Sequence, residues 1–227
     1  MRRSCMRRAG MREKKKKGQS NVMTLVHVKL LLKRYFRKPA VKVSEVNRRL
    51  LVVMVMTFFG VRRFNDIQEL RVEDLTEVEG GDLEVYVHRS KTDQEHRGFI
   101  FHLSGAKVGK FSIVGLIRWY VDSLGLQGDS FLFPKFRRSG RQVVALGGKP
   151  VGYSTMAEDL KAWCRREGIP ELTLHSGRRG GCTLAVELGL DKLTVQKLGN
   201  WSSDAVEDYY QPKKVGVSFT RRAVRSL

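Results

Sequence analysis

The sequence predicts a mostly α-helical fold with a small antiparallel β-sheet, an α+β class. Apolar residues recur at helical intervals along most of the chain, beginning with Leu25, Val28 and Leu32. Two short segments, 83–88 and 98–103, instead alternate apolar and polar residues and are rich in β-formers. With 227 residues, the chain has room for one sizeable domain that buries roughly 70 to 75% of its unfolded surface.

Each helix is predicted from an apolar stripe with recognisable ends. The first stops before Pro39, and the second begins at Ser44 and passes through the apolar run from Leu50 to Phe59. That run is about ten residues long, roughly half of what a bilayer requires, so it predicts a buried core helix and no membrane span. The predicted helices are 22–37, 44–59, 64–70, 112–124, 154–167, a helix that carries Arg178 and ends at 188, 191–198 and 203–210.

The two alternating segments predict a hairpin around residues 92–96, which places Lys91 at its turn. The stretch 125–152 is rich in glycine and predicts mostly loop. Gly180 and Gly181 are unusual, because a glycine inside a helix costs about 1 kcal/mol. The expected reason is the close approach of another backbone, or of DNA.

The charge of the chain predicts a polyanionic partner. Lys and Arg number 43 against 23 Asp and Glu, a formal net charge of +20 at pH 7. Residues 1–17 hold nine cations against one Glu and contribute +8, so the rest of the chain keeps +12. The first 22 residues are expected to be a disordered basic tail, although they could also serve as a nuclear address or a DNA-contacting arm.

No metal site or disulfide framework is predicted. Cys5, Cys164 and Cys182 are far apart and lack the spacing of metal ligands, which favours a reducing compartment. Glycine-rich phosphate loops are missing as well. We therefore expect neither a metal nor a nucleotide cofactor.

Two motifs contain side chains that can hold a phosphate. His175 and Arg178 lie three residues apart on a predicted helix, so an imidazole and a guanidinium can reach the same phosphate oxygens. Arg63 lies one helical turn before Asp66, which can orient it or neighbouring groups. Taken singly, these motifs are also typical of a surface ion pair and a helix cap, and Lys91 is typical of any exposed turn.

Together, five blocks in this order and spacing resemble the tyrosine recombinase (phage integrase) family over residues 24–212. The blocks are Gly60 to Ile67, Arg89 to Asp93, Leu174 to Arg179, Leu198 to Trp201 and the pair Tyr209-Tyr210. The resemblance implies DNA cleavage through a covalent phosphotyrosine, which requires a nucleophile, cations for the transition state and an acid for the leaving hydroxyl.

By this resemblance, each catalytic part has a candidate residue. Arg63 and Arg178 would clamp the scissile phosphate, and Lys91 would protonate the leaving 5'-oxygen. His175 would assist proton transfer or contact an oxygen. Tyr209 would be the nucleophile, and clustered cations would favour the phenolate that a tyrosine of pKa near 10 must form.

One residue departs from the family pattern. Asn200 stands where members have His or Trp, and an amide can donate a hydrogen bond to a phosphoryl oxygen but cannot carry a proton at neutral pH. The sequence from Gly199 to Ala205 is similar to the corresponding segment of recombinases from Crypton and DIRS mobile elements. Alignment of the first block favours Arg63 over Arg62 as the clamp.

The expected organisation is a basic tail over 1–22, a catalytic domain over 23–212 and a basic C-terminal segment over 213–227. The family's separate N-terminal clamp domain is expected to be absent. The resemblance implies dimers to tetramers on double-stranded DNA, in the nucleus of a eukaryote or otherwise the cytoplasm or nucleoid. Two alternatives remain: a catalytically inactive, domesticated DNA-binding protein, motivated by Asn200, and a type IB topoisomerase.

Overall fold

The computed structural model describes residues 21–36, 39, 42–89, 98–107, 111–139 and 142–201. This part is mostly helical with small antiparallel sheets, which confirms the predicted class. The helices are α1 (Leu25–Tyr35), α2 (Glu45–Phe59), α3 (Phe64–Ile67), α4 (Ile113–Leu124), α5 (Tyr153–Glu167), α6 (Ser176–Glu187) and α7 (Lys192–Leu198). The strands are β1 (Leu75–Glu77), β2 (Leu83–Val87), β3 (Phe99–Leu103), β4 (Pro134–Ser139) and β5 (Gln142–Pro150).

Helix α2 is the centre of the core. Residues 48–58 are all buried, and helices α1, α4, α5 and α6 pack around them. A helix that is apolar on every side is stable only when it is enclosed in this way. Ser44 caps its first turn by accepting a hydrogen bond from the backbone N–H of Asn47. The buried core helix predicted from the sequence is therefore confirmed, and no described helix is long and apolar enough to cross a membrane.

The contact of α6 with α2 and with the segment before α1, which we call the glycine seam, depends on three glycines. A Cβ atom added to Gly180 would lie 1.9 Å from the carbonyl oxygen of Met23, and one added to Gly181 would lie 1.9 Å from that of Phe58. At Gly177 the added atom would lie 2.1 Å from the Thr57 hydroxyl. Close approach of another backbone therefore explains the paired glycines.

The sheet around the predicted hairpin has three strands. Strands β2 and β3 pair antiparallel from Leu83 with Leu103 to Val87 with Phe99, as predicted. Strand β1, which the sequence analysis missed, adds to the other edge of β2. Lys91 lies outside the described residues, as does the helix predicted over 203–210.

The prediction of a loop over 125–152 is wrong, because β4 and β5 form a two-stranded antiparallel ribbon there. The pairing is regular from Lys135 with Leu146 to Ser139 with Gln142. Gly147 and Gly148 belong to a register shift at the base of the ribbon, so the glycine content reflects a local irregularity in a strand. The helix predicted over 64–70 is shorter than expected, because α3 ends at Ile67.

Candidate active site

The candidate site begins where α2 ends. Val61 adopts a φ of 52°, in the left-handed region that a β-branched residue rarely occupies. Such a conformation costs about 1 to 3 kcal/mol and persists only where the surroundings hold it. Val61 is buried, and its carbonyl accepts a hydrogen bond of 2.9 Å from Nη1 of Arg178. The strained turn therefore brings the first arginine motif to the arginine of α6.

Arg62, the first of two adjacent arginines, lies inside the protein. Its guanidinium lies over the rings of Phe99 and Phe101, at 4.7 and 4.9 Å, and Nη2 donates to the Leu198 carbonyl at 2.5 Å. Burial lowers the pKa of Arg62 to about 10, so it remains a cation at neutral pH. Arg62 thus joins the end of α7 to strand β3.

Arg63, the second, is partly exposed and precedes α3 as its N-cap residue. Its backbone N–H donates to Oδ2 of Asp66 at 3.1 Å, which closes the first turn of α3. Its guanidinium has no hydrogen bond to any residue in the described part of the chain. Of the two arginines, Arg63 therefore has the side chain that is open to solvent, and its role as the clamp stays a prediction.

Asp66 is buried beside both arginine motifs. Besides capping α3, its Oδ2 lies 4.0 Å from Nη1 of Arg178. Its other oxygen, Oδ1, has no hydrogen-bond partner among the described residues. The carboxylate thus holds the backbone of Arg63 and partly offsets the charge of Arg178, whereas the sequence also allowed a direct contact with the Arg63 side chain.

Arg178 is only 1% exposed and lies at the centre of the site. In addition to Val61, it donates from Nη2 to the carbonyl of Gly199 at 2.8 Å. The ring of Trp201 lies over its guanidinium, 4.1 Å from the Cζ atom. One cation therefore connects the end of α2, helix α6 and the turn that follows α7.

His175 is exposed at the N-terminus of α6. Partial burial of the ring and the nearby cations of Arg178, Arg63 and Arg179, in that order, lower its pKa below the ordinary value, while Asp66 acts in the opposite direction. The imidazole is thus neutral at pH 7. The residues named from the first and third sequence blocks are close enough to act on one titrating group.

Asn200 ends α7 in the left-handed conformation, with a φ of 50° that asparagine tolerates better than most residues. Its backbone N–H donates to the carbonyl of Lys197 at 3.0 Å. The turn formed by residues 198–201 supplies two carbonyls and a ring to the arginines: Leu198 to Arg62, then Gly199 and Trp201 to Arg178.

The structure thus brings together Arg63, Asp66, His175 and Arg178, with Asn200 in the adjacent turn. Lys91 and Tyr209 lie outside the described residues. The sequence analysis missed the structural roles of Arg62 and Trp201. Trp201 was visible beside Asn200, but no local signal in the sequence places its ring on Arg178.

A cleft of about 800 Å³ opens beside Asp66. It is bounded by the segment after Arg63 on one side and by the end of β2 on the other. The lining residues include Asp66, Gln68, Arg71, His88, Arg89 and Phe131. His88 contacts the buried Asp74 across 2.6 Å, from Nε2 to Oδ1, which fixes the end of β2 at this rim. Space for a ligand is therefore present next to Arg63, Arg178 and Arg179 around His175, which we call the arginine cluster.

Several solved structures have a similar fold. One is the XerH site-specific recombinase bound to difH substrate in a pre-cleavage complex, with 16% identity, a TM-score of 0.60 and coverage of 84% of this chain and 50% of that one. XerA recombinase is 16% identical, with a TM-score of 0.60 and coverage of 90% and 66%. A lambda integrase dimer bound to a COC' core site is 18% identical, with a TM-score of 0.55 and coverage of 89% and 51%.

The present chain spans about half the length of the XerH and lambda integrase chains. At these identities, the likeness is one of fold. A search of curated protein sequences found no match. The family model described as "Phage integrase family" matches residues 21–215, which include every motif block taken from the sequence. The chain therefore belongs to the phage integrase family.

Proposed function

We propose that this protein is a site-specific DNA recombinase or integrase that breaks and rejoins DNA through a 3'-phosphotyrosyl intermediate. The observation that supports it most is the convergence of Arg63 and Arg178, from distant parts of the chain, on Asp66. Asp66 accepts a hydrogen bond from the Arg63 backbone, lies 4.0 Å from Arg178 and lines an open cleft, and His175 precedes the helix that carries Arg178. Two guanidinium groups next to a neutral imidazole suit a phosphate that gains negative charge in its transition state.

In the proposed reaction, the phenol oxygen of Tyr209 attacks the scissile phosphorus and the bond from phosphorus to the 5'-oxygen breaks. Arg63 and Arg178 stabilise the pentacoordinate phosphate, and Lys91 gives the leaving 5'-oxygen its proton. His175, neutral at pH 7, accepts the phenol proton or contacts a nonbridging oxygen. Attack by a 5'-hydroxyl on the phosphotyrosine reverses the step and reseals the strand.

The burial of Arg178 limits how it can act. Since it is 1% exposed beneath the ring of Trp201, contact with a phosphate requires that ring to move aside. Arg63, which is partly exposed, can be reached without such a movement. We therefore assign the first contact with DNA to Arg63 and the second to Arg178.

The finer parts of the proposal concern origin and assembly. The resemblance of residues 199–205 to Crypton and DIRS recombinases supports descent from a mobile element, with a nuclear location if the host is eukaryotic. The XerH and lambda integrase structures contain DNA sites, and the latter is a dimer. By analogy, we propose dimers to tetramers on double-stranded DNA.

The test is covalent trapping. The protein is incubated with nicked suicide duplexes, including a random-sequence pool, and adducts are detected by denaturing electrophoresis. The wild type and a Tyr210→Phe control should form a covalent adduct, whereas Tyr209→Phe should not. An adduct that survives Tyr209→Phe would remove the nucleophile assignment.

A second candidate is a DNA-binding protein that has kept the fold without cleavage. Asn200 favours it, because an amide at this position cannot carry a proton. This candidate predicts tight, salt-sensitive binding to duplex DNA and no adduct with any substrate. An adduct formed by the wild type would exclude it.

A further inference from the structure

The ribbon of β4 and β5, with its flanks, carries charge of one sign only. From residue 130 to residue 157 there is no Asp or Glu, and five residues are Lys or Arg. The five cations are Lys135, Arg137, Arg138, Arg141 and Lys149. Nothing in the proposed chemistry uses this charge.

The two faces of the ribbon differ in what they contact. On the inner face, Phe136 lies under the guanidinium of Arg49, 4.4 Å from its Cζ atom, and Ala145 packs against the hydrophobic core. Lys135 and Arg137 occupy alternate positions of β4, so both lie on the outer face, and both are exposed. The ribbon is thus held to the protein by one face and presents cations on the other.

Both ends of the ribbon are fixed at the rim of the candidate site. Before β4, the N–H of Leu132 donates to the Leu70 carbonyl at 2.7 Å. After β5, the carbonyl of Val151 accepts from Nε2 of Gln68 at 3.0 Å. Gln68 and Leu70 also line the cleft beside Asp66. A duplex held at the cleft would therefore pass close to the base of the ribbon.

We propose that the outer face of the ribbon binds the sugar–phosphate backbone of duplex DNA beside the cleaved phosphate. This inference rests on the proposed function for the presence of DNA. Alternate residues of a strand are about 6.8 Å apart, twice the 3.4 Å axial spacing of phosphates along one DNA strand. Lys135 and Arg137 can therefore contact different phosphates, and such contacts position the protein without reading sequence.

The test measures how DNA binding depends on salt. A double variant, Lys135→Gln with Arg137→Gln, is compared with the wild type and with a charge-preserving control, Lys135→Arg with Arg137→Lys. Binding to a labelled duplex is followed by fluorescence anisotropy between about 50 and 200 mM salt. In a plot of log binding constant against log salt concentration, the slope of the glutamine variant should be smaller in magnitude by about 1 to 2, or about 0.9 for each lost phosphate contact. The control should keep the wild-type slope.

An unchanged slope in the glutamine variant would overturn the proposal, as would an equal loss in the charge-preserving control. Covalent trapping of the same proteins, at concentrations that saturate the DNA, separates this result from the proposed chemistry. The glutamine variant should then give the wild-type yield of adduct. If the wild type forms no adduct but the slopes differ, the ribbon contact stands and the recombinase chemistry fails.

Discussion

The glycine seam and the arginine cluster both use residues of α6, but they are built in opposite ways. In the seam, Gly180 and Gly181 bring backbones so close that no Cβ atom fits. In the cluster, Arg63 and His175 are partly or largely exposed, and among the described residues the buried Asp66 offsets part of the positive charge. The seam has no charge to balance, whereas the described part of the cluster has more cations than anions.

This difference teaches how like charges can be held together. Cations that repel one another do not assemble by themselves, so their positions must be fixed by contacts elsewhere. The seam places α6 against the end of α2, and Arg178 then ties Val61 to Gly199. We therefore expect stability to depend on the seam and Arg178, and reactivity on the exposed cations.

The largest expected effect is on stability, from Gly181→Ala. The added Cβ atom would lie 1.9 Å from the Phe58 carbonyl oxygen, and neither backbone can move without separating α6 from α2. The free energy of unfolding should fall by about 3 kcal/mol or more, as measured by urea denaturation. Gly148→Ala is the control, because no atom of the described residues lies within 4 Å of its added Cβ. Equal stability of the two variants would contradict the role of the seam.

Arg178→Ala tests the link between the two regions. The carbonyls of Val61 and Gly199 would lose a buried donor, at a cost of about 1 to 3 kcal/mol each if left unsatisfied. We expect the free energy of unfolding to fall by about 2 to 4 kcal/mol and covalent adduct formation to be lost. Arg178→Lys should recover part of the stability, since an ammonium can bond one of the carbonyls. A variant as stable as the wild type would show that Arg178 is not structural.

Replacing Arg63 and Arg62 in turn should separate activity from stability. Arg63→Ala should lower the rate of adduct formation by about 100- to 1,000-fold, as expected for the loss of one hydrogen-bond donor to the transition state. Its free energy of unfolding should change by less than about 0.5 kcal/mol. Arg62→Ala should instead destabilise the fold by about 2 kcal/mol or more, because its contacts to Leu198, Phe99 and Phe101 are lost. The reverse pattern would assign the clamp to Arg62.

Features that depend on local spacing could be predicted from the sequence. The apolar run from Leu50 to Phe59 identified the core helix, because a helix of that composition must be enclosed. Paired glycines inside a helix indicated a close backbone contact, and the spacing from His175 to Arg178 indicated a shared site. In each case the signal itself lies within a few residues, even where the contact that it indicates is distant, as between Gly181 and Phe58.

Features that depend on distant contacts could not be predicted in this way. Local sequence does not predict that Arg62 is buried and Arg63 partly exposed, since the difference in burial arises from Phe99, Phe101 and Leu198; only the family alignment favoured Arg63. The left-handed conformation of Val61 is not the one that a valine prefers, and it is held by the hydrogen bond that its carbonyl accepts from Arg178. The ribbon was missed because its glycines resemble those of a loop.

The smallest expected effect concerns the pH dependence of His175. Burial and the nearby cations lower its pKa, so Arg179→Gln, which removes one of those cations, should raise that pKa toward the ordinary value of about 6.5. If catalysis needs the neutral imidazole, the rate of adduct formation falls as pH drops through this pKa. The acid limb of the wild type should thus lie below pH 6.5, and that of Arg179→Gln should lie at a higher pH. NMR titration of the imidazole measures the pKa directly.

The same lowered pKa links His175 to stability. Because the folded pKa lies below that of the unfolded chain, the unfolded state binds more protons between the two values. Stability should therefore fall as pH decreases through that window, below about 6.5, and His175→Gln should remove this part of the decrease. An unchanged acid limb and an unchanged NMR pKa in Arg179→Gln would mean that Arg179 does not act on the imidazole. The lowered pKa would then come from burial and from Arg178 and Arg63.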